Sequence, residues 1–305
     1  MAINRSFLEE LPIEIPDHEI APNLDKQSLL YSMLTSQRMY HFFKQPLETI
    51  KLLDFVNCAD YEHAQAMINI SPALMFMPFT IKKIDGSYQT TTPLKLAYEL
   101  LDTYMWKMFW EKIKTNPQWV ALFLEQVHGQ TEHVNLDPLF AEYKKYQDQY
   151  KLWLQDKITN SELATAWLNV GKKQREILPR HMLKEFCRPG HSWGPESLFD
   201  VTVDPIPTDN KIYNYLTSEM VTLFPFKPDC GLGNDFTLTR SADVTLPGGN
   251  QVRLWKSQWN TTEGVAGEHL ATRDLATFRQ LYDIRTEDCV KELLELEPKP
   301  CRISL

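Results

Sequence analysis

Residues 90–106 read TTTPLKLAYELLDTYMW, and the reading of this stretch decides the architecture of the N-terminal half. Pro93 suits the first turn of a helix, where its missing N–H would have no intrahelical acceptor, and the Thr92 hydroxyl can cap a free backbone N–H. The spacing predicts one helix starting at Pro93 and a second from about Asp102, whose apolar face is Met105, Met108, Phe109 and Ile113.

The run T-P-L-K-L-A at 92–97 resembles the T-P-L-H-x-A signature of the ankyrin repeat, with Asp85-Gly86 standing where such a repeat carries its turn. The same frame fits upstream. Ala59-Asp60 corresponds to Leu101-Asp102, which makes residues 48–71 a preceding helix pair ending at Ser71-Pro72. Leu101 stands in place of the usual glycine, Lys95 in place of the histidine, and the connecting finger is several residues longer than a repeat allows. The resemblance implies a pair of stacked units with a protein-binding edge. The competing reading is a helical hairpin buried in a domain core.

Outward from this stretch, FMPFTIKKIDGSYQT (76–90) alternates around an Asp-Gly turn signal and predicts a projecting β-hairpin. An apolar set including Leu29, Leu30, Met33, Leu34 and Met39 predicts a helix over about 26–44, ended by Pro46. ETIKLLDFVNCAD and YEHAQAMINIS predict two more. Residues 117–186 read as helical, with breaks at 129–138 and 158–160. Leu139, Tyr143, Tyr146, Tyr150 and Trp153 form an amphipathic stripe, and Thr159 and Ser161 cap the helix that follows. Past Cys187 the helical period is lost until about 268. Within that region FTLTRSADVTLPGGNQVRLWKSQW (236–259) predicts two or three strands joined at Pro247–Asn250. TRDLATFRQLYDI and TEDCVKELLELE predict two closing helices, each with a capping threonine. The expected fold is mainly helical α+β: ankyrin-like helix pairs over 1–127, a helical hairpin over 128–186, and a loop-rich module over 187–305 with a small antiparallel sheet.

The chain of 305 residues carries 32 Lys and Arg against 40 Asp and Glu, a net charge of −8 that gives no electrostatic footprint for nucleic acid. No apolar run of about 18 residues predicts a membrane span, and the acidic, proline-bearing N-terminus lacks the form of a Sec-type signal. Five scattered cysteines without a C-x-x-C pair argue for reduced thiols and against structural zinc. His128 and His133 lack a third ligand nearby, so no metal and no cofactor is expected.

Gly190-His-Ser-Trp-Gly194 fits the G-x-S-x-G nucleophile elbow, and the order Ser192, Asp204, His269 would supply a serine-hydrolase triad. The context opposes it: a helical pattern precedes the motif, Pro195 follows it, and the parallel strands of a hydrolase are missing upstream. Cys187 with His191 is a second, weaker nucleophile arrangement. A binding surface is the leading alternative to catalysis. Trp193, Tyr213, Tyr215, Asp235 and Arg240 lie among turns, and Trp, Tyr and Arg dominate interface energy. Trp255 and Trp259, at even spacing on one strand face, are expected to fill a small core under the hairpin.

The order of blocks SPALMF, TPLKLAYELLDTYMW, LPRHMLKEFCRPGHSW, IYNYL, TLFPF, CGLGNDFTLTR and LATFRQLYDIRTEDC, over about 65–290, resembles a family of Legionella-type proteins regarded as substrates of the Dot/Icm type IV secretion system. The resemblance implies synthesis in a bacterial cytoplasm and delivery into a host cell without a Sec signal; the leading reading of the chain is an effector-type protein that engages a host protein. It implies no particular activity. The acidic Glu287, Glu292, Glu295 and Glu297 ahead of an apolar end are similar to the C-terminal signals of such substrates, and also fit an exposed helix face.

Overall fold

The computed structural model describes residues 24, 26–82, 88–127, 133–188, 193–197, 199, 211–214, 217–222, 236–240, 252–256 and 267–296. The chain divides into two compact units, Met1–Glu132 and His133–Leu305. Helix dominates both, with small sheets, so the architecture is mainly helical α+β.

In the first unit, α1 (Lys26–Met33) and α2 (Gln37–Asn57) are separated where Ser36 caps α2 by accepting from the Met39 N–H at 3.2 Å. Pro46 does not stop a helix as expected but lies inside α2. A proline there forfeits one backbone hydrogen bond and costs about 3 kcal/mol. Burial of Phe42, Phe43, Leu47, Leu52, Leu53 and Val56 along the same helix offsets that cost. The two helices expected over 26–60 are thus redivided, with the break ten residues earlier than the proline.

The helices ending before Ala59-Asp60 and Leu101-Asp102 close in the same way. α2 closes on Ala59 at φ 51°, and α4 (Pro93–Glu99) closes on Leu101 at φ 59°. At the first closure the Asp60 N–H donates to the Phe55 carbonyl at 2.8 Å and the Ala59 N–H to Val56 at 3.0 Å. At the second the Asp102 N–H donates to Ala97 at 2.9 Å and the Leu101 N–H to Tyr98 at 3.0 Å. This is the paired bonding of a helix end that turns through one left-handed residue, normally glycine. Each aspartate then caps the next helix: Asp60 starts α3 (Tyr61–Ile70) and Asp102 starts α5 (Thr103–Ile113). Buried Asp102 also accepts from the Tyr61 hydroxyl at 3.2 Å, tying the second closure to the helix after the first. Thr92 caps α4 as expected, accepting from the Lys95 N–H at 3.1 Å, with Pro93 in the first turn.

A short 3-10 helix (Pro72–Phe76) leads into β1 (Phe79–Lys82), which pairs antiparallel with β2 (Tyr88–Thr91); the Asp85-Gly86 turn falls outside the described residues. The apolar face of α5 buries Met105, Trp106, Phe109 and Ile113, with Met108 half-buried, and α6 (Pro117–Val127) packs on α4 and α5.

The second unit begins with α7 (Asp137–Trp153) and α8 (Asn160–Ile177), which pack on each other. The stripe holds for Leu139, Tyr143 and Tyr146, which are buried, while Tyr150 and Trp153 at its end are half-buried. Thr159 and Glu162 form a reciprocal capping box at the start of α8. α9 (Arg180–Phe186) follows.

The sheet is mixed, in the order β4 (Glu219–Thr222), β3 (Lys211–Asn214), β6 (Val252–Lys256), β5 (Phe236–Arg240). β5 pairs antiparallel with β6 as expected. The β3–β4 hairpin and the parallel pairing of β3 with β6 were not anticipated, because a four-residue strand at 211–214 carries too short a period to register. The chain closes in one helix, α10 (Glu268–Leu296), rather than two. Thr272 and Thr286, expected as caps, instead donate to the carbonyls four residues back, Glu268 and Tyr282, at 2.8 and 2.9 Å, an alternative that lets threonine sit inside a helix.

β5 lies directly against α8, and Gly171 leaves room for it: a Cβ there would meet the Phe236 carbonyl, the Thr237 hydroxyl and, at 2.8 Å, the Thr237 Cα. Two of those three atoms are backbone and cannot rotate away. Gly171→Ala should therefore destabilise the second unit by about 1–3 kcal/mol despite the higher helix propensity of alanine, as read by urea denaturation.

Candidate functional site

β5 is the edge strand of its sheet, yet all five of its residues are buried. An edge inside a protein leaves backbone donors and acceptors without a neighbouring strand, and each must find a partner. Helix side chains supply them. The Gln174 amide, on the buried face of α8 with Leu163, Trp167 and Val170, accepts from the Leu238 N–H at 3.0 Å and donates to the Leu238 carbonyl at 2.8 Å. It thereby does for one residue what a fifth strand would do. Gln174 also donates to the buried Tyr143 hydroxyl of α7 at 2.8 Å. Arg175 donates to the Phe236 carbonyl and stacks over the Phe236 ring, 4.5 Å from its centroid. At the far end the Arg240 N–H donates to Asp274 of α10 at 3.4 Å.

Asp274 is the centre of the arrangement. One carboxylate oxygen accepts from the Trp193 indole at 3.0 Å, and the other accepts from the Thr239 hydroxyl at 2.8 Å and from the Arg240 N–H. Its side chain is fully buried, and burial pushes its pKa up to about 7, against the pull of these three donors and of Arg273. The Arg240 guanidinium donates to the Phe186 carbonyl at 2.8 Å and to the Arg188 carbonyl at 2.8 Å, closing the C-terminal end of α9, where a cation meets the negative end of the helix. Burial lowers its pKa to about 10, so it stays charged at neutral pH. Glu185 and Arg188, also buried, approach each other at 3.5 Å. The neighbouring Cys187 thiol is pushed up to about 12 by burial and is a neutral thiol, which removes the thiolate that a Cys187–His191 pair needs. Phe186, Trp193, Phe199 and Phe278 seal the centre, with the Phe186 and Trp193 rings 4.8 Å apart and those of Trp193 and Phe278 5.1 Å apart.

Two residues singled out for a binding surface, Trp193 and Arg240, are thus brought together with the Arg240 guanidinium 5.8 Å from the Trp193 ring, but inside the protein, at 0% and 1% exposure. They bond to backbone and carboxylate, and so form core rather than a contact face. Tyr213 is half-buried on β3; Tyr215, Asp235 and Trp259 lie outside the described residues. Of the hydrolase triad, Ser192 and Asp204 lie outside the described residues and His269 is exposed in the first turn of α10. Among the described residues no group of His, Cys, Asp and Glu is placed to hold a metal ion, and no helix is long and apolar enough to cross a membrane.

Sequence reasoning missed Gln174, Asp274 and Gly171. Signals for them existed. Gln174 falls on the apolar side of α8, Asp274 falls between Ala271, Leu275 and Phe278 on the buried side of α10, and a glycine inside a helix marks close approach. Polar residues on apolar faces are where buried bonding is found. Gln174→Leu, close in size but unable to bond, leaves both Leu238 groups and the Tyr143 hydroxyl without this partner, and should cost about 2–5 kcal/mol in urea denaturation. Gln174→Glu, which keeps an acceptor but loses the donor, should also destabilise.

No curated protein and no solved structure matches this chain. The family described as CBUA0006 C-terminal domain matches residues 138–296, more than half of the 305 residues and every element that contributes to the Asp274 centre. The chain belongs to the CBUA0006 C-terminal domain family.

Proposed function

We propose that this chain is a bacterial effector-type protein, delivered into a host cell, that acts by binding a host protein through its N-terminal unit. The observation that carries the reading is the repeated closure at Ala59-Asp60 and Leu101-Asp102, which sets two helix pairs in one frame with the β1–β2 hairpin preceding the second. Ankyrin-like repeats present their turns and helix edges to partners in this way, on a scaffold whose core is closed. Large apolar side chains are exposed on this unit: Tyr31 at 64%, Leu34 at 82% and, on the hairpin, Tyr88 at 72%. Tyrosines of this kind are favoured anchors of protein interfaces. Membership of the family is compatible with an effector role, and Trp193 and Arg240, being buried, are not available as contacts on the second unit.

The test is affinity capture from host-cell lysate with the full chain and with a Tyr31→Ala, Leu34→Ala, Tyr88→Ala variant whose circular dichroism and melting are unchanged. A partner captured saturably by the first and lost by the second is the expected result. Equal capture by both, or no saturable capture, overturns the reading. A fluorophosphonate probe addresses the serine-hydrolase alternative, for which no described geometry speaks. Labelling equal in the wild type and in Ser192→Ala is expected.

A further inference from the structure

α1 packs on α2 and carries apolar residues all round: Leu29 is buried, Met33 half-buried, and Leu30, Tyr31 and, just past the helix end, Leu34 form an exposed stripe at spacings of three and four. A helix of that kind is ordinarily covered on both sides, and α2 covers one. Charge indicates what covers the other. Residues 26–47 include Lys26, Arg38 and Lys44, all exposed, and no Asp or Glu. Arg38 and Lys44 lie over the rings of Phe42 and Tyr40, at 5.1 and 5.9 Å from their centroids. Residues 7–20, FLEELPIEIPDHEI, lie outside the described residues and have the opposite charge: Glu9, Glu10, Glu14, Asp17 and Glu19, with no Lys or Arg. In the same stretch Leu11, Ile13 and Ile15 recur at every second residue, and Pro12 and Pro16 favour the extended backbone in which such residues share one side. We propose that residues 7–20 dock on the α1 stripe as an extended strap, with Leu11, Ile13 and Ile15 on Leu30, Tyr31 and Leu34 and the acids toward Arg38 and Lys44.

The chain is long enough to double back. α1, with eight residues, is about 12 Å long. Residues 21–25 between the strap and α1 can span about 17 Å when extended, so Ile13 and Ile15 can reach the far end of the helix. The tether also keeps the strap at a high effective concentration beside its site, so shallow apolar contacts and screened charges suffice to hold it. Tyr31 and Leu34 belong to the face assigned above to a host protein, so a partner must displace the strap to reach them. That consequence rests on the host-binding reading; the docking itself does not. A covered face weakens apparent affinity by the fraction of chains in which it is open.

Photo-cross-linking in the full chain reads the docking without a partner. Tyr31, or in a second protein Leu34, is replaced by photoreactive p-benzoylphenylalanine; both positions are exposed, so the fold does not depend on them. Cross-linked peptides are then mapped by mass spectrometry. Links within one chain to residues 7–20 are expected from both positions, and should fall severalfold in an Ile13→Ser, Ile15→Ser variant and in high salt, which screens the acids from Arg38 and Lys44. Links to a second copy, links only to other parts of the chain, or no links overturn the proposal. Equal linking in the wild type and in the Ile13→Ser, Ile15→Ser variant also overturns it, by showing a segment that is tethered nearby but not docked. Capture from host-cell lysate then reads the regulation: the Ile13→Ser, Ile15→Ser chain should bind a saturably captured partner about 3- to 10-fold more tightly than the wild type. Equal affinity overturns the covering role. The absence of saturable capture by either chain overturns the host-binding reading alone, and the cross-links still decide the docking.

Discussion

The second unit is organised by one constraint: a sheet edge is buried against helices, and among the described residues no strand lies on its outer side. An unpaired buried amide or carbonyl costs about as much as several well-packed methyl groups contribute. The edge is tolerable only if side chains answer it atom by atom. Gln174 answers Leu238 with both ends of its amide, Arg175 answers Phe236, and Asp274 answers Arg240. The alternation of these three residues along β5 follows from the two-residue period of a strand, which turns the backbone groups of every second residue outward. Thr237 and Thr239 use hydroxyls instead, donating to the Trp167 carbonyl and to Asp274.

That solution explains why charge is found in the interior. A carboxylate and a guanidinium are expensive to bury, and each must be compensated by bonds and by the other. Asp274 accepts from three donors because its place is where β5, α10 and the Trp193 segment meet, and any neutral replacement offers fewer acceptor sites. Arg240 closes α9 by donating to the Phe186 and Arg188 carbonyls, at the helix end where carbonyls lack intrahelical donors. The helix end and the strand end are thus completed by one residue, through its side chain and its N–H respectively.

How much of this was legible in the sequence differs between the units for a physical reason. The first unit is built from local signals. Thr92, Pro93, Asp60 and Asp102 act on backbone within three or four residues, so the helix starts and the shared frame can be read directly. Pro46 misled because a local cost was overruled by burial of a long apolar face. The second unit is built from bonds between residues far apart in sequence, such as Arg240 to Asp274, 34 positions apart, and Trp193 to Asp274, 81 apart, and no local pattern encodes them. Trp193 and Arg240 stood out correctly as unusual residues in a loop-rich region. Their residue types are shared by interfaces and by buried polar centres, so type alone assigned them to the wrong side of the surface.

The extent of the family match follows the same division. The segment 138–296 contains Tyr143, Gln174, Arg175, the α9 carbonyls, Trp193, β5 and Asp274, so the bonds that answer the buried edge are complete within it. Those bonds lie between residues of the matched segment and can recur with it as a unit. In the first unit the equivalent linkage is the Tyr61 hydroxyl on Asp102, a bond between two short, similarly closed helix pairs. There the closures and caps carry the fold, and exposed positions such as Tyr31 and Tyr88 take no part in them. Exposed positions can therefore change on the first unit at little cost to its fold, whereas the second unit admits few changes around Asp274, since its partners lie on different elements.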